Sequence, residues 1–127
     1  MVAQQLYEGV AVGKEGSVGL ITYMRTDSVR IADVAADDIR SYIESEFGKE
    51  FRPSHANSYS SKKNAQDAHE AIRPTSVHRT PLEMAKHLNK DQLKLYSLIW
   101  NRAVASQMAS AVFDVTTLLI GAGDYQL

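Results

Sequence analysis

Apolar and polar positions alternate along the chain in a way that already divides it into elements. From about Asp33 to Phe47 the apolar residues Ala35, Ile39, Ile43 and Phe47 recur at i+4, with Tyr42 beside them. That period predicts an amphipathic helix. Gly48 is a suitable stop, and Ser28 and Asp33 compete as the cap at its start. "VAQQLYEGV" reads as the end of a helix halted at Gly9. In "TPLE", Thr80 as N-cap, Pro81 at N1 and Glu83 at N3 predict a helix to about Leu88. Asn89 then caps a long helix to about Met108, with Leu93, Tyr96, Trp100, Val104 and Met108 near one face. "AQDAHEAI", Ala65 to Ile72, has helical character and ends ahead of Pro74.

Strand signals are fewer. "VGLITY", Val18 to Tyr23, is β-branched and aromatic, and "FDVTTLLI", Phe113 to Ile120, is strand-like. "GAGD" follows as a turn, and a further strand begins at "YQL". Val12 to Ser17, with Gly13 and Gly16, reads as a loop; so does the serine-rich stretch from Arg52 to Asn64, long enough to be a working loop. The expected fold is therefore mainly α: a small helical domain with a short β-hairpin, compatible with a helix-turn-helix relative. Residues 1–127 are expected to form one domain, with about 110–127 as strand or linker toward a next one. The hairpin broken off at the C-terminus leads to the expectation that the chain is a segment of a larger polypeptide.

Composition narrows the function classes. The 127 residues suit a single core. Without cysteine there are no disulfides, thiolate metal sites or cysteine nucleophiles, which fits a reducing cytoplasm. No apolar run is long enough for a membrane helix. A net charge of −1 supplies little general attraction for nucleic acid. Local basic residues nevertheless gather at Arg25, Arg30, Lys62, Lys63, Arg73 and Arg79, with Asn57 and Tyr59 interleaved; they could build one phosphate-binding face or simply be solvated.

Two constellations can carry chemistry. On a strand, Tyr23 and Arg25 share a face. A phenol is a weak nucleophile at neutral pH unless a cation assists it, and a guanidinium holds phosphate bidentately, so the pair suits phosphoryl transfer to tyrosine. A packed tyrosine beside a solvated arginine satisfies the same spacing. On the helix expected at 65–72, His69 and Arg73 stand at i,i+4 and could make a phosphate site. "HEAIR" lacks the second histidine of a zinc helix, and no metal set emerges: Asp37 and Asp38 are adjacent on a helix and point apart. Tyr96 and Trp100 read as core.

Taken together, four blocks make the sequence resemble the bacterial type IA DNA topoisomerases, nearly end to end. "AQQLYEG" is similar to that family's "AQxLYE" helix, and "GLITYMRTDS" to its active-site motif. "AQDAHEAIRPT" and "LYSLIWNRAVASQM" resemble two further signatures. The resemblance implies that Tyr23 attacks a backbone phosphorus of single-stranded DNA, forming a transient 5′-phosphotyrosine ester. Arg25 would stabilise the transition state, and His69 would bind and position DNA. Arg73, Asp27 and Lys62 would complete the phosphate-binding set. It further implies a fold related to catabolite-activator-type helix-turn-helix domains, a cytoplasmic, nucleoid-associated enzyme, and no small-molecule cofactor. Magnesium would be held by a separate acidic domain of the parent polypeptide, against which this domain packs. The competing expectation is a non-catalytic helix-turn-helix-like DNA-binding module. A helical interaction domain without nucleic acid is the third.

Overall fold

A computed structural model of the chain describes residues 1–59 and 69–126. The first helix, α1 (Val2–Glu8), inserts Leu6 into the core and ends at Gly9, whose N–H donates to Gln5 O and whose φ of 135° turns the following chain out of the helix. A small antiparallel hairpin follows, β1 (Val10–Ala11) with β2 (Ser17–Val18), in the register Val10↔Val18 and Ala11↔Ser17. The expected loop from Val12 to Ser17 forms its tip around a 3₁₀ turn at Gly13–Glu15. The expected strand from Val18 to Tyr23 is in that ladder only at Val18. Beyond it, a single antiparallel bridge joins Ile21 to Pro74.

Helix α2 (Asp33–Phe47) starts and stops as its pattern predicts, with Gly48 at φ 110° as its C-cap. Neither candidate cap is used. Ala32 occupies the N-cap without a side-chain bond, Asp33 is the first helical residue, and Ser28 is engaged elsewhere. The buried face is Ala36, Ile39 and Ile43, while Phe47 is 45% exposed. Four residues advance a helix by about 400°, so a strict i+4 row drifts about 40° per step and leaves the core within a few turns.

Helix α3 (Pro81–Met84) is shorter than expected. Thr80 caps it by accepting from Glu83 N, but after Met84 the chain makes turns rather than helix to Leu88. Asn89 and Gln92 then form a reciprocal capping box for α4 (Lys90–Ser106). This helix supplies Tyr96, Trp100, Ala103 and Val104 to the core, where they meet Leu6, Leu20, Ile21, Ile39, Ile43, Val77 and Met84. The buried aromatics also satisfy their polar tips: Trp100 Nε1 donates to Val77 O at 2.9 Å and Tyr96 Oη donates to Arg79 O. Burial pushes the Tyr96 phenol up to about 12, against only a small opposing pull from Arg79.

Two expectations are corrected. Residues 65–68 lie outside the described residues, and His69 to Ile72 are irregular, not helical. Backbone bonds from Ala71 N to Arg30 O and from Thr22 N to Arg73 O tie this segment sideways to the rest of the chain, so its N–H groups serve no helix ladder. Phe113 to Ile120 forms no strand; its apolar side chains are exposed, with no neighbouring strand to pair with among the described residues. The hairpin is confined to β3 (Gly121–Ala122) and β4 (Tyr125–Gln126) around Gly123, at φ 63°. Asn57 and Tyr59, which could have joined a phosphate-binding face or a solvated surface, satisfy the open end of α4. Asn57 Nδ2 donates to Ser106 O and Met108 O, and Tyr59 Oη donates to Ser106 O.

The architecture is thus mainly α, with four helices and two minimal hairpins among the described residues. Among the described residues no helix is long and apolar enough to cross a membrane. Because α4 carries the largest share of buried aromatic surface, its cap has a measurable value. Asn89→Ala should lower the unfolding free energy by about 1 kcal/mol, read as a shift in the urea midpoint at unchanged slope.

Candidate active site around Tyr23

The segment from Gly19 to Tyr23 reaches its place by lying against the end of α1. Leu20 N donates to Leu6 O at 2.8 Å. A Cβ on Gly19 would sit 2.7 Å from Tyr7 O, so only glycine allows this approach. Leu20 and Ile21 are fully buried by it. Tyr23, two residues on, emerges 53% exposed, with its ring 5.3 Å from that of Tyr7 in an edge-to-face arrangement.

On the other side, Thr75 N donates to Leu20 O at 3.0 Å and Thr22 N to Arg73 O at 2.9 Å, either side of the Ile21–Pro74 bridge. Ile21 and Pro74 are thus a pair that exchanges no hydrogen bonds, and the missing proline N–H costs nothing there. After Tyr23 the backbone folds tightly, Arg25 N donating to Tyr23 O at 2.9 Å.

That fold aims Arg25 at His69. Arg25 Nη1 lies 3.0 Å from His69 Nε2. A guanidinium only donates, so Nε2 is the acceptor in this contact. Ser28 Oγ donates to His69 O at 2.7 Å and steadies the histidine's backbone. Arg25, two residues after the exposed Tyr23, thereby meets a histidine 44 positions away in the chain.

Arg73 does not share a helical face with His69. Its Nε donates to Glu70 Oε2 at 2.6 Å and its Nη1 to Pro74 O at 3.1 Å. The bond from Arg73 comes first among the influences that hold the Glu70 carboxyl below its ordinary 4.5. The charge of Arg73, the Ala32 N–H and the charge of Arg30 act in the same direction, against partial burial. Asp27 is exposed in the turn at 26–27, and Lys62 lies outside the described residues. Arg79 pairs with Glu15 at 3.3 Å. Asp37 and Asp38 have different partners, Arg40 and His78. Among the described residues no three histidine or carboxylate side chains converge as a metal site.

A half-exposed phenol two residues from an arginine that bonds a histidine can present a nucleophile to a phosphate. A family model described as DNA topoisomerase matches residues 1–127. The chain belongs to the bacterial type IA DNA topoisomerase I family. The DNA topoisomerase 1 of Xylella fastidiosa strain 9a5c is 52% identical over 124 residues, which is 97% of this chain and 15% of that protein. The DNA topoisomerase 1 of strain Temecula1 is 51% identical over the same coverage. Among solved structures, full-length topoisomerase I from Thermotoga maritima aligns with a TM-score of 0.70 and 51% identity, over 85% of this chain and 16% of that one. The chain spans about 15% of the length of the curated relatives it matches.

Within this topoisomerase I segment, sequence reasoning missed Tyr7, Thr22, Ser28 and Glu70 as parts of the site. Hydroxyls at positions 22 and 28 bracket the tyrosine in "ITYMRTDS", but nothing in a local pattern says what they would bond. As a helix-surface acid in "AHEAIR", Glu70 could ligate a cation or simply meet solvent, and the sequence does not mark it as the partner of Arg73. Its lowered carboxyl contributes stability that is present above the ordinary carboxylate value and lost as pH falls through the folded value. Glu70→Gln should therefore flatten the loss of stability below pH 4.5, seen by comparing thermal midpoints of the two proteins at pH 6 and pH 3. An equally steep fall in both would show that the Arg73 pair carries no weight.

Proposed function

We propose that this chain is the tyrosine-bearing part of a type IA DNA topoisomerase, in which Tyr23 makes and breaks a covalent link to single-stranded DNA. The observation that carries the reading is an exposed Tyr23 phenol two residues from an Arg25 that bonds His69. Tyr23 Oη attacks the phosphorus of a backbone phosphodiester. The phenol gives up its proton, the bond from phosphorus to the 3′ oxygen breaks, and that oxygen leaves as a hydroxyl. The product is a 5′-phosphotyrosine ester. The reverse attack by the 3′ hydroxyl reseals the strand, and because the ester retains the energy of the broken bond no ATP is needed. Passage of a strand through the held gap relaxes negatively supercoiled DNA in the intact enzyme.

Arg25 neutralises charge on the phosphate as it becomes five-coordinate. His69 holds Arg25 in register and binds DNA beside it. Arg73, Asp27 and Lys62 complete the DNA-binding assignment, and Arg73 can meet a phosphate only by sharing its guanidinium with Glu70. Magnesium for the intact enzyme falls, on this reading, to carboxylates of another domain of the parent, which is also the partner against which this domain closes. The site of action is the nucleoid, where the DNA is. The isolated chain is accordingly expected to fold but not to relax DNA, and its net charge of −1 should leave single-strand binding weak.

The test uses the intact parent polypeptide and a single-stranded oligonucleotide labelled at its 3′ end. After a denaturant quench the label should remain on the protein, and Tyr23→Phe should abolish it. Arg25→Ala should slow adduct formation about a hundredfold with less effect on oligonucleotide affinity. Binding without any adduct would favour the non-catalytic DNA-binding module instead.

A further inference from the structure

The pairing of the 20–22 segment with the 73–75 segment stops at Thr22, and the side chain of Thr22 is what stops it. In a regular antiparallel ladder the partner residues 22 and 73 would exchange two backbone bonds. One of them is present, Thr22 N to Arg73 O at 2.9 Å. The other is replaced: Arg73 N donates at 3.0 Å to the Thr22 hydroxyl rather than to its carbonyl. The same hydroxyl donates its own proton to Ala71 O at 2.8 Å. One oxygen thus serves as both acceptor and donor, and it spans three residues of the facing segment. The Thr22 carbonyl is released from the ladder, and the next residue, Tyr23, leaves the pairing to begin the tight fold closed by Arg25 N.

We propose that Thr22 is a positioning residue for Tyr23: its hydroxyl ends the strand pairing one residue before the tyrosine and fixes the 71–73 segment, and with it His69, relative to Arg25. The inference rests on the reading of Tyr23 as a nucleophile. Ser28 holds the far end of the same arrangement through His69 O at 2.7 Å, so the loop from Tyr23 to Asp27 is fastened by a hydroxyl on each side. A backbone carbonyl in place of the Thr22 hydroxyl would extend the ladder and carry Tyr23 toward the facing segment. Small displacements of a nucleophile of this kind are enough to slow a reaction whose geometry is preset.

Thr22→Val keeps the shape of the side chain and removes the hydroxyl; Thr22→Ser keeps the hydroxyl. In the intact parent, Thr22→Val should lower the rate of adduct formation at saturating oligonucleotide by about tenfold or more, with oligonucleotide affinity nearly unchanged and the fold retained by circular dichroism. Thr22→Ser should restore the rate. In the 127-residue chain, amide exchange at Arg73 should quicken in the valine variant and recover in the serine variant. A valine variant that cleaves at the unaltered rate, or a serine variant that fails to recover, overturns the proposal while leaving Tyr23 as nucleophile. Absence of any adduct in the unaltered parent overturns the nucleophile reading itself, and the positioning role with it.

Discussion

Leu20 holds the Tyr23 segment from two sides at once. Its N–H donates to the last turn of α1 through Leu6 O, and its carbonyl accepts from Thr75 N. Its side chain is fully buried, as is that of the adjacent Ile21. Without this anchorage a five-residue stretch with one bridge and no sheet would be a mobile loop, because too few of its backbone groups would be satisfied. Fixed at Leu20 and Ile21, the chain can expose Tyr23 while keeping its backbone in one place. The same economy appears at Gly19, where the missing Cβ lets the α1 carbonyl at Tyr7 come close and brings the Tyr7 ring to the side of Tyr23.

The electrostatics around this anchored segment are divided. Arg73, partly buried, is matched by Glu70, and the carboxyl responds by dropping below its ordinary range. Arg25 is exposed and meets an imidazole nitrogen instead of a carboxylate. The difference matters, because a carboxylate would neutralise the guanidinium and compete with phosphate, whereas an acceptor nitrogen orients it and leaves its charge in place. The chain therefore presents cationic charge beside Tyr23 even though its total is −1.

The remainder of the fold is a support for that arrangement. Helix α4 fills the core with Tyr96 and Trp100, and the polar tips of those rings tie down Val77 and Arg79 in the segment that follows Pro74. The 73–75 segment that pairs with Leu20 and Thr22 is thus held from its far end by the core. Asn57 and Tyr59 close the other end of α4, which accounts for their polar groups without any ligand.

The sequence by itself determined the helices whose signals are local. The span of α2 came from its apolar period, α1's end from Gly9, and the start of α4 from Asn89 and Gln92, since caps and amphipathic periods are written within a few residues. The motif blocks also determined the family, and with it the candidates Tyr23, Arg25 and His69. Tertiary structure decided the rest. Helical character at 65–72 gave way, in its described part, to sideways bonds with Arg30 and Thr22, and strand character at 113–120 found no partner among the described residues. The exchange of partners, His69 to Arg25 and Arg73 to Glu70, was not written in any spacing. A side chain's hydrogen-bonding capacity is fixed by its type, but which group meets it depends on how distant segments are brought together, and here that was settled by the burial of Leu20 and Ile21 between α1 and the segment around Pro74.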